Sequence, residues 1–355
     1  MDSLPTFDHD DEQALLDSVR KYSSGRIEIT HATTYAQYMI DAEKELVKLA
    51  KDKDESINVN RYRNIVYLIR NEIVIKHYFP LSRFSPYVEL CFRISAEDKD
   101  KIEHDFYTQQ DKQKILEKLR QDLRSEYFIK TIENKKKAIS KNKQSLLRYI
   151  SDLFEYRSRL LVIRVDLGYS KIERLHKFRP RRDKKISLSP PPKLKIFEGW
   201  QLFGDAAREH RVSLIKQVGK QFKKNFIGYV WKLEYGTDKG FHYHMIFFLD
   251  GANCRKDITI AQSIGELWKN EIVQGDDGVY WNLNADKKRF EKNNCVATGM
   301  ISSNDRATRN NLERMATYLV KPDYFVRTVL PNGARTFGKG GKPTKNKTGR
   351  PRKEE

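Results

Sequence analysis

Apolar residues recur at helical spacing through most of the first 155 positions. Over residues 34–54, Tyr35, Met39 and Ala42 are followed by Leu46 and Leu49, which line one face of a helix. Residues 61–78 repeat the pattern and are closed by Pro80. A short strand is predicted over residues 87–92. Ser95-Ala96-Glu97-Asp98 reads as an N-cap with acids in the first turn, opening a long charged helical region to about Tyr156. Near Arg157 the period becomes two: Leu161, Ile163, Val165 and Leu167 alternate with Val162, Arg164 and Asp166, as in a strand. Further strands are predicted over 226–235, 241–249, 279–283 and 296–301. Helices are predicted over 206–224, 259–272 and 310–321, the last stopped by Pro322. The chain thus divides into a mostly helical N-terminal domain (1–155), a mixed domain (156–331) with a basic loop at 171–193, and a Gly-, Lys- and Arg-rich tail (332–355) expected to be disordered.

The strands after position 226 gather the chemistry. In Phe241-His242-Tyr243-His244-Met245-Ile246-Phe247-Phe248, alternate side chains share a face. His242 and His244 therefore project together, while Phe241, Tyr243, Met245 and Phe247 fill the other face. Two imidazoles on one strand face are half of a divalent-metal site. Gly236-Thr237-Asp238-Lys239-Gly240 reads as a hairpin loop. Pairing Tyr235 with Phe241 sets Glu234 directly opposite His242, with Cβ atoms about 5 Å apart. A one-residue slip would send Glu234 to the other face. Asp166 is a second candidate carboxylate, either joining or replacing Glu234 at the metal or serving as a turn acceptor at its strand end. Near the C-terminus, Leu312, Met315 and Leu319 form a buried helical stripe, with Tyr318 and Lys321 side by side at its edge. A phenol, with a pKa near 10, is a poor nucleophile at neutral pH. A neighbouring ammonium stabilises its phenolate or a phosphate that it attacks. The bland reading of the same pair is a boundary tyrosine with a snorkelling lysine.

Charge selects the class of partner. The 355 residues include 68 Lys and Arg against 48 Asp and Glu, a net charge of +20. That surplus points to a polyanion, nucleic acid first, and the interleaved aromatics suit unpaired bases. Residues 171–185 hold eight basic and two acidic residues and run into Ser187-Leu188-Ser189-Pro190-Pro191-Pro192, which reads as a mobile basic loop. Arg164, Lys177, Arg179, Arg181, Arg182, Lys184 and Lys185 are the candidate DNA contacts. Three cysteines are too few and too scattered for a disulfide framework or a zinc knuckle. No signal-peptide pattern and no run of about 18 apolar residues is found, so a cytoplasmic protein without a membrane partner is expected.

In order and spacing, the strand 161–167, the Glu234/His242/His244 set and Tyr318-Leu319-Val320-Lys321 resemble the HUH endonuclease superfamily of rolling-circle replication initiators and relaxases. Within it the chain is most similar to YagK/YfjJ-type replication initiation proteins of filamentous phages and prophages, where Arg335-Thr336-Phe337-Gly338 is also familiar. The resemblance spans residues 157–341 and leaves the N-terminal region without a role. It implies an α+β fold with an antiparallel central sheet of HUH/Rep type flanked by helices and the His pair on a central strand. It implies His242, His244 and Glu234 as ligands of Mg²⁺ or Mn²⁺, Tyr318 as nucleophile and Lys321 as its electrostatic partner. The implied reaction is site-specific nicking and rejoining of single-stranded DNA through a 5′-phosphotyrosine intermediate, initiating rolling-circle replication. Its substrate would be single-stranded or nicked DNA at a replication origin, with host helicase and polymerase as partners. Tyr324, beyond Pro322, should leave the helix, so two-tyrosine chemistry is not expected. Two other readings remain: a non-catalytic DNA-binding regulator on the same fold, and a non-haem iron oxygenase using two His and one carboxylate, which the charge disfavours.

Overall fold

The computed structural model describes residues 12, 15–16, 21–23, 26–28, 30–54, 56–97, 108–170, 193–236, 239–273, 277–287, 296–330 and 333–343. It divides into two compact units. The first comprises Met1–Asn142, Tyr235–Asp238 and Val320–Val329; the second comprises Lys143–Glu234, Lys239–Leu319 and Leu330–Glu355. Among the described residues, no helix is long and apolar enough to cross a membrane.

The first unit opens with a hairpin of β1 (Lys21–Ser23) and β2 (Arg26–Glu28), followed by α1 (His31–Lys51), α2 (Arg63–Arg70) and α3 (Glu72–Tyr78). Strand β3 (Ser82–Phe84) leads into α4 (Pro86–Glu97), α5 (Gln109–Arg124) and α6 (Glu126–Tyr156), which runs on into the second unit. Ala36, Met39, Ile40 and Leu46 of α1, Ile65 and Leu68 of α2, and Leu116 and Leu119 of α5 form the core. Residues 87–92 are helix α4, not the predicted strand. Tyr87, Val88, Cys91 and Phe92 are buried while Glu89 and Arg93, four apart, are exposed, which is helical spacing. The start signal is Ser85-Pro86: the Ser85 hydroxyl accepts from Val88 N at 3.2 Å, and proline occupies the first helical position. Ser95 accordingly lies inside α4 and opens nothing. Among the described residues the next helix, α5, starts at a capping box of Thr108 and Asp111.

The second unit carries an antiparallel six-stranded sheet. In chain order its parts are β4 (Arg159–Tyr169), α7 (Lys193–Phe222), β5 (Phe226–Gly236), β6 (Gly240–Asp250), α8 (Asp257–Leu267), β7 (Gly278–Asn282), β8 (Gly299–Ser302) and α9 (Arg306–Thr317). Strand β6 is central, between β5 and β4. The other edge of β4 is shared: Val165–Tyr169 pairs with β7, and Arg159–Val162 with β8. Odd-numbered residues of β4 and β6 face α7 and α8. The Tyr243 hydroxyl donates to Ala207 O at 3.1 Å, the Phe203 and Phe241 rings stack at 5.4 Å, and Trp268 Nε1 donates to Gly168 O at 2.9 Å. Phe241, Tyr243, Met245 and Phe247 are all at most 1% exposed. Each such side chain contributes roughly 1.5–3 kcal/mol of burial, which fixes the register and therefore the face on which the histidines stand.

Beyond α9 the chain crosses between units. Strand β9 (Val326–Thr328) pairs with β3, and Tyr324 and Phe325 join the first unit's core. The hairpin tip belongs there too, with Tyr235 N donating to Thr328 Oγ1 at 3.2 Å. The tail is structured at its start: β10 (Phe337–Lys339) adds to the free edge of β5, pairing Phe337 with Lys232. Three residues suffice because an open sheet edge offers unpaired N–H and C=O groups to any adjacent extended chain. Residues 171–192, with Lys177, Arg179, Arg181, Arg182, Lys184 and Lys185, lie outside the described residues, as do residues 344–355.

Candidate metal centre

Each side chain of the candidate centre is placed by strand geometry. His244 on β6 lies directly opposite Asp166 on β4. Glu234 reaches the same face from β5: its Oε2 is 3.6 Å from His242 Nε2 and 3.4 Å from His244 Nε2. One ligand atom from each of Glu234, His242 and His244 falls within a 4.8 Å cluster. These side chains are only 12%, 10% and 16% exposed, so their polar atoms have largely lost water.

The outer nitrogen of each ring is already engaged. His242 Nδ1 is 3.0 Å from Gly240 O. His244 Nδ1 is 2.8 Å from Asp166 Oδ1, an ionic contact lying out of line for a well-directed hydrogen bond. Anchoring Nδ1 on a carbonyl or carboxylate is how metal-ligating histidines are oriented, with Nε2 left to the ion. Gly240 makes the first anchor by adopting φ +63°, a left-handed conformation that side chains disfavour. His242 Nε2 is buried and has no hydrogen-bond partner. Such an orphaned atom is costly unless something else occupies it. Two imidazole nitrogens and one carboxylate oxygen, with Nδ1 held in both rings, fit a divalent cation that keeps open positions for substrate oxygens.

The electrostatics agree with the geometry. Burial pushes the Glu234 carboxyl up, but the His244 charge and both imidazole contacts outweigh it and hold it well below the usual carboxylate range. Burial also opposes ionisation of Asp166, yet His244 and Arg164 bring its pKa down to about 2. Between these two carboxylates His244 is held up at about 9, against burial, whereas burial lowers His242. Two ionised carboxylates thus hold a proton on His244, and a divalent cation bound at Nε2 would take that proton's place in their field.

The structure separates the roles of the two carboxylates that the sequence left open. Glu234 faces both Nε2 atoms, and Asp166 backs His244 from the Nδ1 side. Arg164 lies on the same β4 face, its Nε 3.9 Å from Asp166 Oδ1. Tyr318 and Lys321 are not on one helix as predicted. Helix α9 ends at Thr317, Tyr318 is its C-cap, and Lys321 opens a separate 3₁₀ turn, Lys321–Tyr324. The cause is Pro322, which lacks the N–H that would bond Tyr318 O four residues back and whose ring would clash with that carbonyl. Tyr318 is half-buried, its N–H bonded to Arg314 O at 3.1 Å, and it belongs to the same unit as the Glu/His/His set. Tyr324 is 4% exposed in the first unit's core, in line with its predicted departure from the helix. The Gly240 carbonyl went unforeseen, since a backbone acceptor leaves no trace in residue type.

The YagK/YfjJ C-terminal domain family matches residues 122–340, more than half of the chain. No curated protein and no solved structure matches it. With an α+β fold, the His pair on the central strand and the family match running through both, the chain belongs to the YagK/YfjJ C-terminal domain family.

Proposed function

We propose that the protein is an HUH-type DNA endonuclease and strand transferase that nicks and rejoins single-stranded DNA at a replication origin. The observation that carries the reading is the convergence of Glu234 Oε2 with two Nε2 atoms whose rings are held from behind at Nδ1. A divalent ion held by Glu234, His242 and His244, Mn²⁺ suiting the imidazoles better than Mg²⁺, supplies positive charge to a non-bridging phosphate oxygen. Tyr318 is the nucleophile: its oxygen bonds to phosphorus as the P–O3′ bond breaks, leaving a 5′-phosphotyrosine, and the proton given up by the phenol is in net taken up by the departing 3′ oxygen to give the 3′-OH. Reversal re-forms the phosphodiester without ATP, because the bond is stored on the enzyme. Lys321 stabilises the phenolate. Arg164 and the basic residues 177–185 contact phosphates without reading sequence. The free 3′-OH primes a polymerase, so the reading extends to initiation of rolling-circle replication of a phage, prophage or plasmid in the cytoplasm.

The test is incubation with 5′- and 3′-labelled single strands of the cognate replicon and Mn²⁺. A covalent 5′ adduct is expected, absent from Tyr318→Phe and from His242→Ala. An adduct that survives Tyr318→Phe removes that tyrosine from the mechanism. DNA binding without any adduct favours the non-catalytic regulator.

A further inference from the structure

We infer that Trp281 is a stacking platform for a nucleobase of the substrate strand, set beside the metal centre on the same face of the sheet. The inference rests on the DNA reading above and adds to it the residue that holds a base rather than a phosphate.

The registers place Trp281 in line with the centre. Trp281 on β7 is directly opposite Asp166 on β4, and Asp166 is directly opposite His244 on β6. Directly opposed residues point to one face, so Trp281, Asp166 and His244 form a single row across three strands. At the usual strand spacing the row places the Trp281 backbone about 10 Å from that of His244. The neighbouring row is Val279, Gly168 and the His242 side chain. A Cβ built on Gly168 would lie 3.3 Å from Val279 Cγ2 and 3.8 Å from His242 Cβ. Having only hydrogen there, Gly168 leaves the floor between the histidine and the edge strand flat.

Strand β7 alternates cleanly. Tyr280 turns to the opposite face, against Gly265, where its hydroxyl donates to Glu266 at 2.7 Å. Asn282 follows it, donating to Ile258 O at 3.0 Å. Val279 and Trp281 turn to the histidine face and remain 44% and 52% exposed. A tryptophan half in water beside a buried polar centre gains little from core burial, so folding does not explain its presence. Its ring is nevertheless held: Nε1 donates to Asp286 Oδ2 at 2.9 Å. An exposed but oriented indole costs little conformational entropy on binding a flat partner. The partner is chosen by its surroundings. The shelf joins a site built for phosphate oxygens, Arg164 lies on the same face, and the chain carries +20. A ligand that is anionic at the centre and aromatic one residue away is a single-stranded nucleic acid.

The experiment uses the full-length protein with Mn²⁺ and two fluorescein-labelled probes of equal charge, dT20 and an abasic 20-mer. Stacking on aromatic side chains makes single-strand binding sequence-tolerant, so dT20 suffices. Wild type should bind dT20 more tightly than the abasic strand. Trp281→Ala should weaken dT20 binding on the order of ten-fold and leave the abasic strand unchanged, and Trp281→Phe should restore most of the loss. The dT20-induced change in tryptophan emission should be smaller in Trp281→Phe than in wild type. A merely structural role would lower both affinities together. The inference is overturned if Trp281→Ala weakens both probes equally, if it weakens neither, or if sedimentation shows that Trp281 instead mediates association of two copies. Failure of the DNA reading is separate: wild type would then distinguish neither probe and form no Tyr318 adduct.

Discussion

Glu43 on α1 is the side chain that pH should expose most clearly. It is fully buried, its Oε1 accepts a hydrogen bond from the Ser85 hydroxyl, and its Oε2 has no partner. Burial raises its pKa from 4.5 to about 8, against the smaller pull of Ser85 and of the Lys135 charge. The folded state therefore keeps a proton that the unfolded chain has released between about pH 4.5 and 8, and stability falls as pH rises through that window. From pH 5 to pH 8 the shift corresponds to about 3–4 kcal/mol. Lys135 titrates on the other side. Burial lowers it to about 8, so its contribution changes only above that pH, where stability rises again. Glu43→Gln keeps the shape, stays neutral and should remove this part of the fall. Urea unfolding followed by circular dichroism at pH 5 and pH 8 measures it. Held up at about 9, His244 lowers stability over the upper part of this range in both proteins; with m near 2 kcal/mol/M, the wild-type midpoint should therefore drop by on the order of 1–2 M more than the variant's. A variant that loses stability as steeply as wild type, or is the weaker of the two at pH 8, would refute the assignment of the buried charge.

His242→Ala and Glu234→Ala should each abolish Mn²⁺ binding in calorimetric titration, whereas His210→Ala, whose ring bonds the Tyr169 hydroxyl on the opposite face, should bind normally. Asp166→Asn should retain binding but weaken it by about 10–100-fold, since it holds His244 rather than the ion. Gly228→Ala should cost about 1–3 kcal/mol in unfolding experiments, because the new Cβ would lie 2.3 Å from Tyr149 Oη. Adding Tyr149→Phe should recover part of that loss.

The hairpin that carries the candidate ligands was legible because strand alternation is local. Once Phe241, Tyr243, Met245 and Phe247 are assigned to the core, the two histidines have only one other side to occupy. The placement of Glu234 near them followed from loop length alone. What stayed hidden depends on neighbours remote in sequence. Asp166 could be given either of two duties until β4 was seen beside β6. The Phe337–Lys339 strand has too little apolar content to announce itself and exists because β5 offers an edge. Residues 87–92 differ from the predicted strand because Ser85-Pro86 is a helix-start signal, and a short apolar run alone does not separate strand from helix. The helix ends at Thr317 rather than Lys321 because Pro322 acts four residues back, on the Tyr318 carbonyl, and not only on itself.

The points at which the chain passes between its two units give the molecule a particular kind of indivisibility. It leaves the sheet unit immediately after Glu234 to form the hairpin tip, and again after Leu319, one residue past Tyr318. The second is inlaid in the N-terminal unit through Tyr324, Phe325 and the β3–β9 pair, and the first is tied to the second where Tyr235 N donates to Thr328 Oγ1. Trimming the protein back to Lys143 would not liberate a self-sufficient sheet unit. It would strand the tongue rooted at the candidate nucleophile without its socket, and with it the Thr328 that holds the tongue rooted at the candidate carboxylate ligand. Whatever replaces the N-terminal helices, in evolution or at the bench, must bring a receptacle for the second tongue.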